Sequence, residues 1–266
     1  MKNIKLGFTL IEVLVVIAII ALLVGILFPV FSSVKAKGRQ ASCMTNLMEI
    51  GVSISMYCAD YDQRIIPCIS ILPPTANANT TDSYSGDSQM SGYSFAGVGI
   101  DNGWAWSTIL FPYVKNKNTY YCPGSIIEPG DGISTYNTGY AINCNVTGGA
   151  LNNVSGNGIR VRPPLMRQLK RPAETYLVAD GSSYGLFGTV INKYMVNNSC
   201  YIPASYGSKA DAEEAGITGD FADDATERHQ GGKIVVLFAD NHADLVPGVT
   251  IAQDIENNTT FITGGL

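Results

Sequence analysis

The stretch Gly7-Phe8-Thr9-Leu10-Ile11-Glu12 opens an apolar run that continues to Phe31, and its reading decides where the rest of the chain is placed. Between Phe8 and Phe31 only Thr9 and Glu12 carry polar side chains. About 24 residues at ~1.5 Å each make a helix of about 36 Å, enough to cross the hydrocarbon core of a bilayer. Its length and unbroken apolarity exclude a buried helix of a soluble domain. Glu12 lies near the start of the run. A charge in a spanning segment costs roughly 2.5–3.5 kcal/mol at the helix centre and less near an end, so Glu12 marks a functional position. Ahead of the run stands only Met1-Lys2-Asn3-Ile4-Lys5-Leu6-Gly7, which is short, polar and basic.

A secretory signal peptide fits this end poorly. Its apolar region spans about 7–15 residues and holds no carboxylate, although Val34-Lys35-Ala36 has the small-residue spacing of a cleavage site. A plain anchor explains the length but neither Glu12 nor the junction from basic residues to Gly7-Phe8. The positive charges flanking the run nearly balance: Lys2 and Lys5 with the amino terminus on one side, Lys35, Lys37 and Arg39 on the other.

Beyond the membrane run, the helical pattern continues. Gln40, Met44, Leu47, Gly51, Ile54, Cys58 and Tyr61 recur at steps of three and four, with Ile50 and Tyr57 on the same side. Arg39, Asn46, Glu49, Ser53 and Asp60 fall between them. One helix is therefore expected from Phe8 to Asp60, apolar all round over 8–31 and one-faced over 32–61, about 80 Å long at ~1.5 Å per residue. Gly25 and Pro29 are its weak points, where a kink or a short unwound stretch is expected.

Residues 62–266 form one further domain, large enough to bury its own core. Gln63 to Gly103 reads mostly as loop, broken by Pro67, Pro73 and Pro74. Trp106 to Val114 reads as a short helix, Thr119 to Pro123 and Gly139 to Asn143 as short strands, and Leu165 to Leu169 as a helical turn. Thr175-Tyr176-Leu177-Val178-Ala179-Asp180-Gly181 is a compact buried strand. Ile234 to Asn241 echoes it: an aliphatic run, Ala-Asp, then a residue that tolerates positive φ. The pair is expected side by side in an antiparallel sheet, with Asp240-Asn241 as a two-residue hairpin turn into His242 to Val246. The fold class is α+β: a long amino-terminal helix whose outer half packs on an antiparallel sheet, with long loops.

The net charge of −5 and the low charged fraction of 15% leave no basic surface for nucleic acid. The six cysteines, Cys43, Cys58, Cys68, Cys122, Cys144 and Cys200, contain no C-x-x-C pair, which argues against a zinc ribbon or redox motif. An even number at wide spacings after a membrane segment fits disulfides in an oxidising compartment, and buried free thiols are the alternative. At least one disulfide is expected in the outer domain, with Cys122 a participant beside Pro123. Cys43 and Cys58 lie too far apart along one helix to bond to each other.

At Lys5-Leu6-Gly7-Phe8-Thr9-Leu10-Ile11-Glu12-Val13 the chain resembles type IV prepilins and the pseudopilins of type II secretion systems. A short basic leader, Gly before the cut, Phe after it and Glu at the fifth mature position coincide, and Pro29 falls where such pilins often carry a proline. The resemblance implies a leader over 1–7, cleavage between Gly7 and Phe8 by an inner-membrane prepilin peptidase, and N-methylation of Phe8. It also implies a transmembrane and filament-core segment over 8–31, with assembly roles for Glu12 and Pro29. Together with the cysteines, it places the amino end in the cytoplasm and residues 62–266 outside. The partners implied are further copies or related subunits in a filament, the peptidase, the inner-membrane assembly machinery and the membrane itself.

A second resemblance covers more of the chain. His229, followed by Asp240-Asn241, is similar to a carboxy-terminal signature, His, nine residues, then Asp-Gly, that accompanies prepilin-type amino ends in some bacteria. Here ten residues intervene and Asn241 replaces the Gly. Asn46-Leu47 with Ile50-Gly51, Tyr121-Cys122-Pro123, Arg171-Pro172 and Ala179-Asp180-Gly181 resemble further landmarks of that family.

Metal binding is read two ways. His229, Asp240 and His242 would need to converge, and turn chemistry alone accounts for Asp240 and Asn241. Asp220, Asp223, Asp224 and Glu227 form an acidic loop of the kind that holds Ca²⁺, without EF-hand spacing, and a solvated loop is the simpler reading. No nucleophile elbow, phosphate loop or H-E-x-x-H motif is present, so no enzyme and no required cofactor is expected. The expected function is that of a structural, pilin-like subunit. The rival class is a membrane-tethered binding module that holds glycans on Trp104, Trp106 and the tyrosines, and a tethered hydrolase ranks third.

Overall fold

In the computed structural model, residues 9–67, 69–71, 103–125, 139–147, 163–181, 186–187, 210, 228–257 and 264 are described. Helix α1 runs without a break from Leu10 to Asp60. Its first turn is closed by a capping box: the Thr9 hydroxyl accepts from the Glu12 backbone N–H, and the Glu12 carboxylate accepts from the Thr9 backbone N–H at 2.8 Å. The unwound stretch expected between Gly25 and Pro29 does not occur. Pro29 forfeits one bond, to the carbonyl four residues back. That residue is Gly25, and the helix continues on both sides of it.

Beyond α1 the described residues build a five-stranded sheet in the order β5-β3-β4-β6-β7 from Leu186–Phe187 (β5), Tyr140–Asn143 (β3), Tyr176–Asp180 (β4), Lys233–Phe238 (β6) and Ala243–Pro247 (β7). Four strands are antiparallel, and the two-residue β5 adds a parallel edge to β3. The expected pairing of the two echoing segments is present, with Val178 opposite Leu237. Ile69–Ile71 (β1) and Gly103–Ala105 (β2) form a separate antiparallel pair, and Trp106–Val114 (α2) follows directly. Lys117–Tyr120 is a 3₁₀ turn rather than the start of a strand: Asn116 accepts from the Asn118 backbone N–H and starts the turn.

Both faces of the sheet are covered. Alternation along β6 sends Val235 and Leu237 to the α1 face, where Cys43, Leu47, Ile50 and Ile54 meet them together with Leu177. Ile234, Val236 and Phe238 point the other way, toward Ile251 of α4 (Gly248–Glu256) and Tyr176. A strand buried on both sides needs a continuous apolar run, which is why β6 and β4 read so compactly.

The turn between β6 and β7 differs from the two-residue form. Phe238 N–H donates to the His242 carbonyl and Asn241 N–H to the Phe238 carbonyl, so Ala239-Asp240-Asn241 is a three-residue loop. Asn241 takes φ 73°, the left-handed residue that such a loop requires. Its side chain reaches inward, and Nδ2 donates to Ser55 Oγ on α1 at 2.7 Å.

Candidate functional site

Two regions carry functional potential, and they lie on opposite halves of α1. The first is its inner half. Leu10 is 81% exposed and Phe28 69%, and the apolar side chains onward to Val34 are likewise uncovered. The segment is long and apolar enough to cross a membrane. Within it, Glu12 is satisfied locally, its Oε2 accepting from both the N–H and the hydroxyl of Thr9. Pro29 lies within the helix, and its carbonyl accepts from Ser32 Oγ at 3.0 Å. Gly7 and Phe8 lie outside the described residues.

The second region is a buried polar cluster where α1 meets the sheet. The stripe of α1 places Cys43 inward, one turn before Leu47. Asp180 ends β4, fully buried, and the Gly181 N–H after it donates to the Gly139 carbonyl. Arg228 and His229 lead into β6, and Cys122 follows the 3₁₀ turn. Cys43 Sγ donates to Asp180 Oδ1 at 3.2 Å, His229 Nε2 lies 3.1 Å from Asp180 Oδ2, and Cys122 Sγ lies 3.4 Å from the same Nε2. The four ligand atoms of Cys43, Cys122, Asp180 and His229 all fall within 4.8 Å of one another.

The surroundings hold this cluster from every side. Tyr140 Oη donates to Cys43 Sγ at 3.3 Å, and the Gly124 N–H donates to Cys122 Sγ at the same distance. The Val235 N–H donates to Asp180 Oδ2 at 2.8 Å. Arg228 Nη1 lies 3.7 Å from Asp180 Oδ1 and donates to the carbonyls of Gly139 and Gly181. Gly124 must lack a side chain: a Cβ there would stand 2.8 Å from the Arg228 carbonyl and 2.9 Å from the His229 ring.

Electrostatics in the cluster follow from burial set against these contacts. Burial by itself would raise the Asp180 carboxyl, but the hydrogen bond from His229 and the Arg228 charge bring it below its ordinary value. Burial opposes the charged His229 ring, yet bonding to Asp180 and Cys122 raises it to about 10. The Cys122 thiol is likewise pushed up by burial, but hydrogen bonding with Cys43 and His229, with Arg228 nearby, lowers it to about 7. Burial raises Cys43 well above the usual thiol range.

These contacts correct the expectation for Cys122 and bear on several others. Cys122, expected in a disulfide, is a free thiol, as are Cys43 and Cys58. Its sulfur is engaged by His229 and Gly124 instead, and the Cys43 sulfur by Asp180 and Tyr140. Cys144 lies in α3 (Cys144–Thr147), and the side chain of Cys144 is outside the described residues, as are Cys68 and Cys200. His229 and Asp240 serve different places: His229 bonds in the buried cluster, while Asp240 accepts from the His242 N–H and ring on the exposed hairpin. Asp240 is held below the usual carboxylate range by His242, against the opposing effect of burial. Trp106 is fully buried against Tyr120 and offers no platform for a glycan. Asp220, Asp223, Asp224 and Glu227 lie outside the described residues, as does the side chain of Trp104.

The sequence reading missed the cluster itself. Cys43 and Cys122 read from sequence as disulfide candidates, His229 as a signature residue and a metal candidate with Asp240 and His242, and Asp180 as part of a landmark, with nothing to join the four. A signal was available: Asp180 ends a strand of wholly buried residues, and a buried carboxylate requires partners.

Residues 2–28 match the family described as the prokaryotic N-terminal methylation motif. No curated protein and no solved structure matches the chain. The motif, together with the apolar helix that follows it, supports a type IV prepilin-like amino end. Processing by a prepilin peptidase and association with the membrane follow from the motif.

Proposed function

We propose that the chain is a pilin-like or pseudopilin structural subunit, stored in the bacterial inner membrane and assembled into a type IV pilus or a type II secretion pseudopilus. The observation that carries this reading is the pairing of a methylation motif with an inner helix half that no part of the described domain covers. An apolar helix face of this size needs a lipid or protein partner. Lipid serves the stored monomer, and copies of the same segment serve the filament core.

In this reading the peptidase cuts between Gly7 and Phe8, and the new amine of Phe8 is methylated. Residues 62–266 stand outside the cytoplasmic membrane, on the periplasmic or cell-surface side, and the role is structural rather than enzymatic. Glu12 enters the filament core, where an unpaired carboxylate is costly. The amine of Phe8 on a neighbouring subunit is its partner and sets axial register.

Mass spectrometry of the mature amino terminus tests the reading. A chain beginning at methylated Phe8 is expected when the protein is expressed with its peptidase, and Gly7→Val should abolish the cut. A mature chain beginning at Lys37 would show secretory cleavage and end the filament reading.

A further inference from the structure

We propose that Cys43, Cys122, Asp180 and His229 form a structural zinc site that clips the outer half of α1 to the sheet. The donor set is two sulfurs and one imidazole nitrogen, which suit Zn²⁺ and not Ca²⁺ or Mg²⁺, with one carboxylate oxygen, which Zn²⁺ also accepts. With Zn–S near 2.3 Å and Zn–N or Zn–O near 2.0–2.1 Å, a tetrahedral site has ligand–ligand edges of roughly 3.3–3.8 Å. Cys122 Sγ lies 3.4 Å from His229 Nε2, and the Asp180 carboxylate lies 3.2 Å from Cys43 Sγ through Oδ1 and 3.1 Å from His229 Nε2 through Oδ2, so its contacts are at or slightly under those edges and one of its two oxygens would serve as the ligand. The remaining pairs lie within 4.8 Å. All four side chains are buried, so the site is closed, as a structural site is.

Hydrogen bonding alone serves this cluster poorly. His229 Nε2 faces both Cys122 Sγ and Asp180 Oδ2, and one ring nitrogen carries only one proton to share between them. A metal at the centre engages all four atoms at once. The charges then close: two thiolates and a carboxylate give −3, Zn²⁺ and the Arg228 guanidinium beside Asp180 give +3. Zinc takes the place of the thiol protons and the Nε2 proton, which leave to solvent.

Outer contacts of the kind that hold metal ligands are already in place. Tyr140 Oη and the Gly124 N–H donate to the two sulfurs, and the Val235 N–H to the carboxylate. The ligands come from α1, the segment after the 3₁₀ turn, the end of β4 and the approach to β6, so one ion would join parts of the chain up to 186 residues apart (229 − 43). A Cys43–Cys122 disulfide would use the same sulfurs but would leave Asp180 and His229 without them.

The test is elemental analysis of the full-length chain, purified in detergent under reducing, chelator-free conditions and equilibrated with Zn²⁺. One zinc per chain is expected. Replacement by Co²⁺ should give the intense visible bands of a tetrahedral, thiolate-ligated ion, and this measurement needs no variant that might fail to fold. Tyr140→Phe, which keeps the ring but removes the bond to Cys43, should weaken zinc binding about 10-fold. Cys122→Ser and Asp180→Asn should abolish stoichiometric binding, while Asp240→Asn on the hairpin should leave it unchanged. A folded, reduced chain that takes up no zinc and gives no cobalt bands overturns the proposal. So does a Cys43–Cys122 disulfide found by peptide mapping of protein taken directly from cells.

Discussion

The two halves of α1 are one continuous helix with opposite fates. From Leu10 to Val34 the large apolar side chains point outward on every side, and none is covered by the other described residues. From Cys43 to Cys58 a single stripe, Cys43, Leu47, Ile50, Gly51, Ile54, Tyr57 and Cys58, is buried, while Met48, Val52 and Met56 remain exposed. Apart from the bond that Pro29 forfeits, both halves belong to one unbroken helix, so helix formation does not distinguish them. What differs is the partner. The outer half has its partner within the chain, in α2, β6 and β7; the inner half must find one in lipid or in other subunits.

The sharpest way to separate the halves is to make the same truncation in each. Leu47 is fully buried and Leu23 is 60% exposed. Leu47→Ala should destabilise the outer domain by about 2–5 kcal/mol through lost burial and a cavity. Leu23→Ala should leave its thermal unfolding midpoint, measured in detergent, within error of the parent. Equal shifts for the two would mean that the inner half also packs on the domain.

Glycine gives the same contrast at smaller scale. A Cβ on Gly51 would meet Asn241 Oδ1 and Leu237 Cδ1, each at 3.0 Å, whereas one on Gly25 would meet nothing within 4 Å. Gly51→Ala should cost about 1–3 kcal/mol, because the hairpin must back away from the helix. Gly25→Ala should leave the domain untouched and firm the helix by about 0.5–1 kcal/mol. Unfolding monitored by circular dichroism reads both. A neutral Gly51→Ala would show that the hairpin tip is not held against α1.

The hairpin clasp itself ranks next. Asn241 combines positive φ with the bond to Ser55. Asn241→Gly keeps the conformation and loses the bond, at about 0.5–1.5 kcal/mol. Asn241→Val loses both and should be worse by a further ~1–2 kcal/mol. If Ser55→Ala matches Asn241→Gly in melting temperature, the bond rather than the turn accounts for the loss. A Gly variant as stable as the parent would show that the bond contributes nothing.

The smallest effect on the domain belongs to Glu12, and there assembly is the readout. Glu12→Ala removes the capping box with Thr9, far from the folded core, so outer-domain melting should not change. Processing should persist, while filament formation or secretion falls, with Glu12→Asp retaining part of it. Normal assembly by a processed Glu12→Ala chain would remove the carboxylate from the mechanism.

Much of this protein was legible in the residues because the signals are local or periodic. Unbroken apolarity over 8–31 requires a lipid or protein surround, steps of three and four beyond it require a one-faced helix, and the aliphatic runs at 175–181 and 234–241 require a buried sheet. The departures are instructive. Gly25 and Pro29 predict a kink or a short unwound stretch, and the unwound form does not occur: losing a single bond leaves α1 unbroken. The hairpin was expected with two loop residues and has three, because the αL residue is decided by where Phe238 and His242 pair. Cover for the second face of the sheet by α4 was also not foreseen.

The sequence by itself determined the amino-terminal motif, the two-part character of α1, the α+β class and the pairing of β4 with β6, since each follows from residue type at short spacing. Only the tertiary structure decided which cysteines meet what. Cys43, Cys122, Asp180 and His229 are spread along the chain and share no local pattern. Their convergence comes from packing α1 across the end of β4 and the approach to β6, which puts four polar side chains where water is excluded and each must be another's partner.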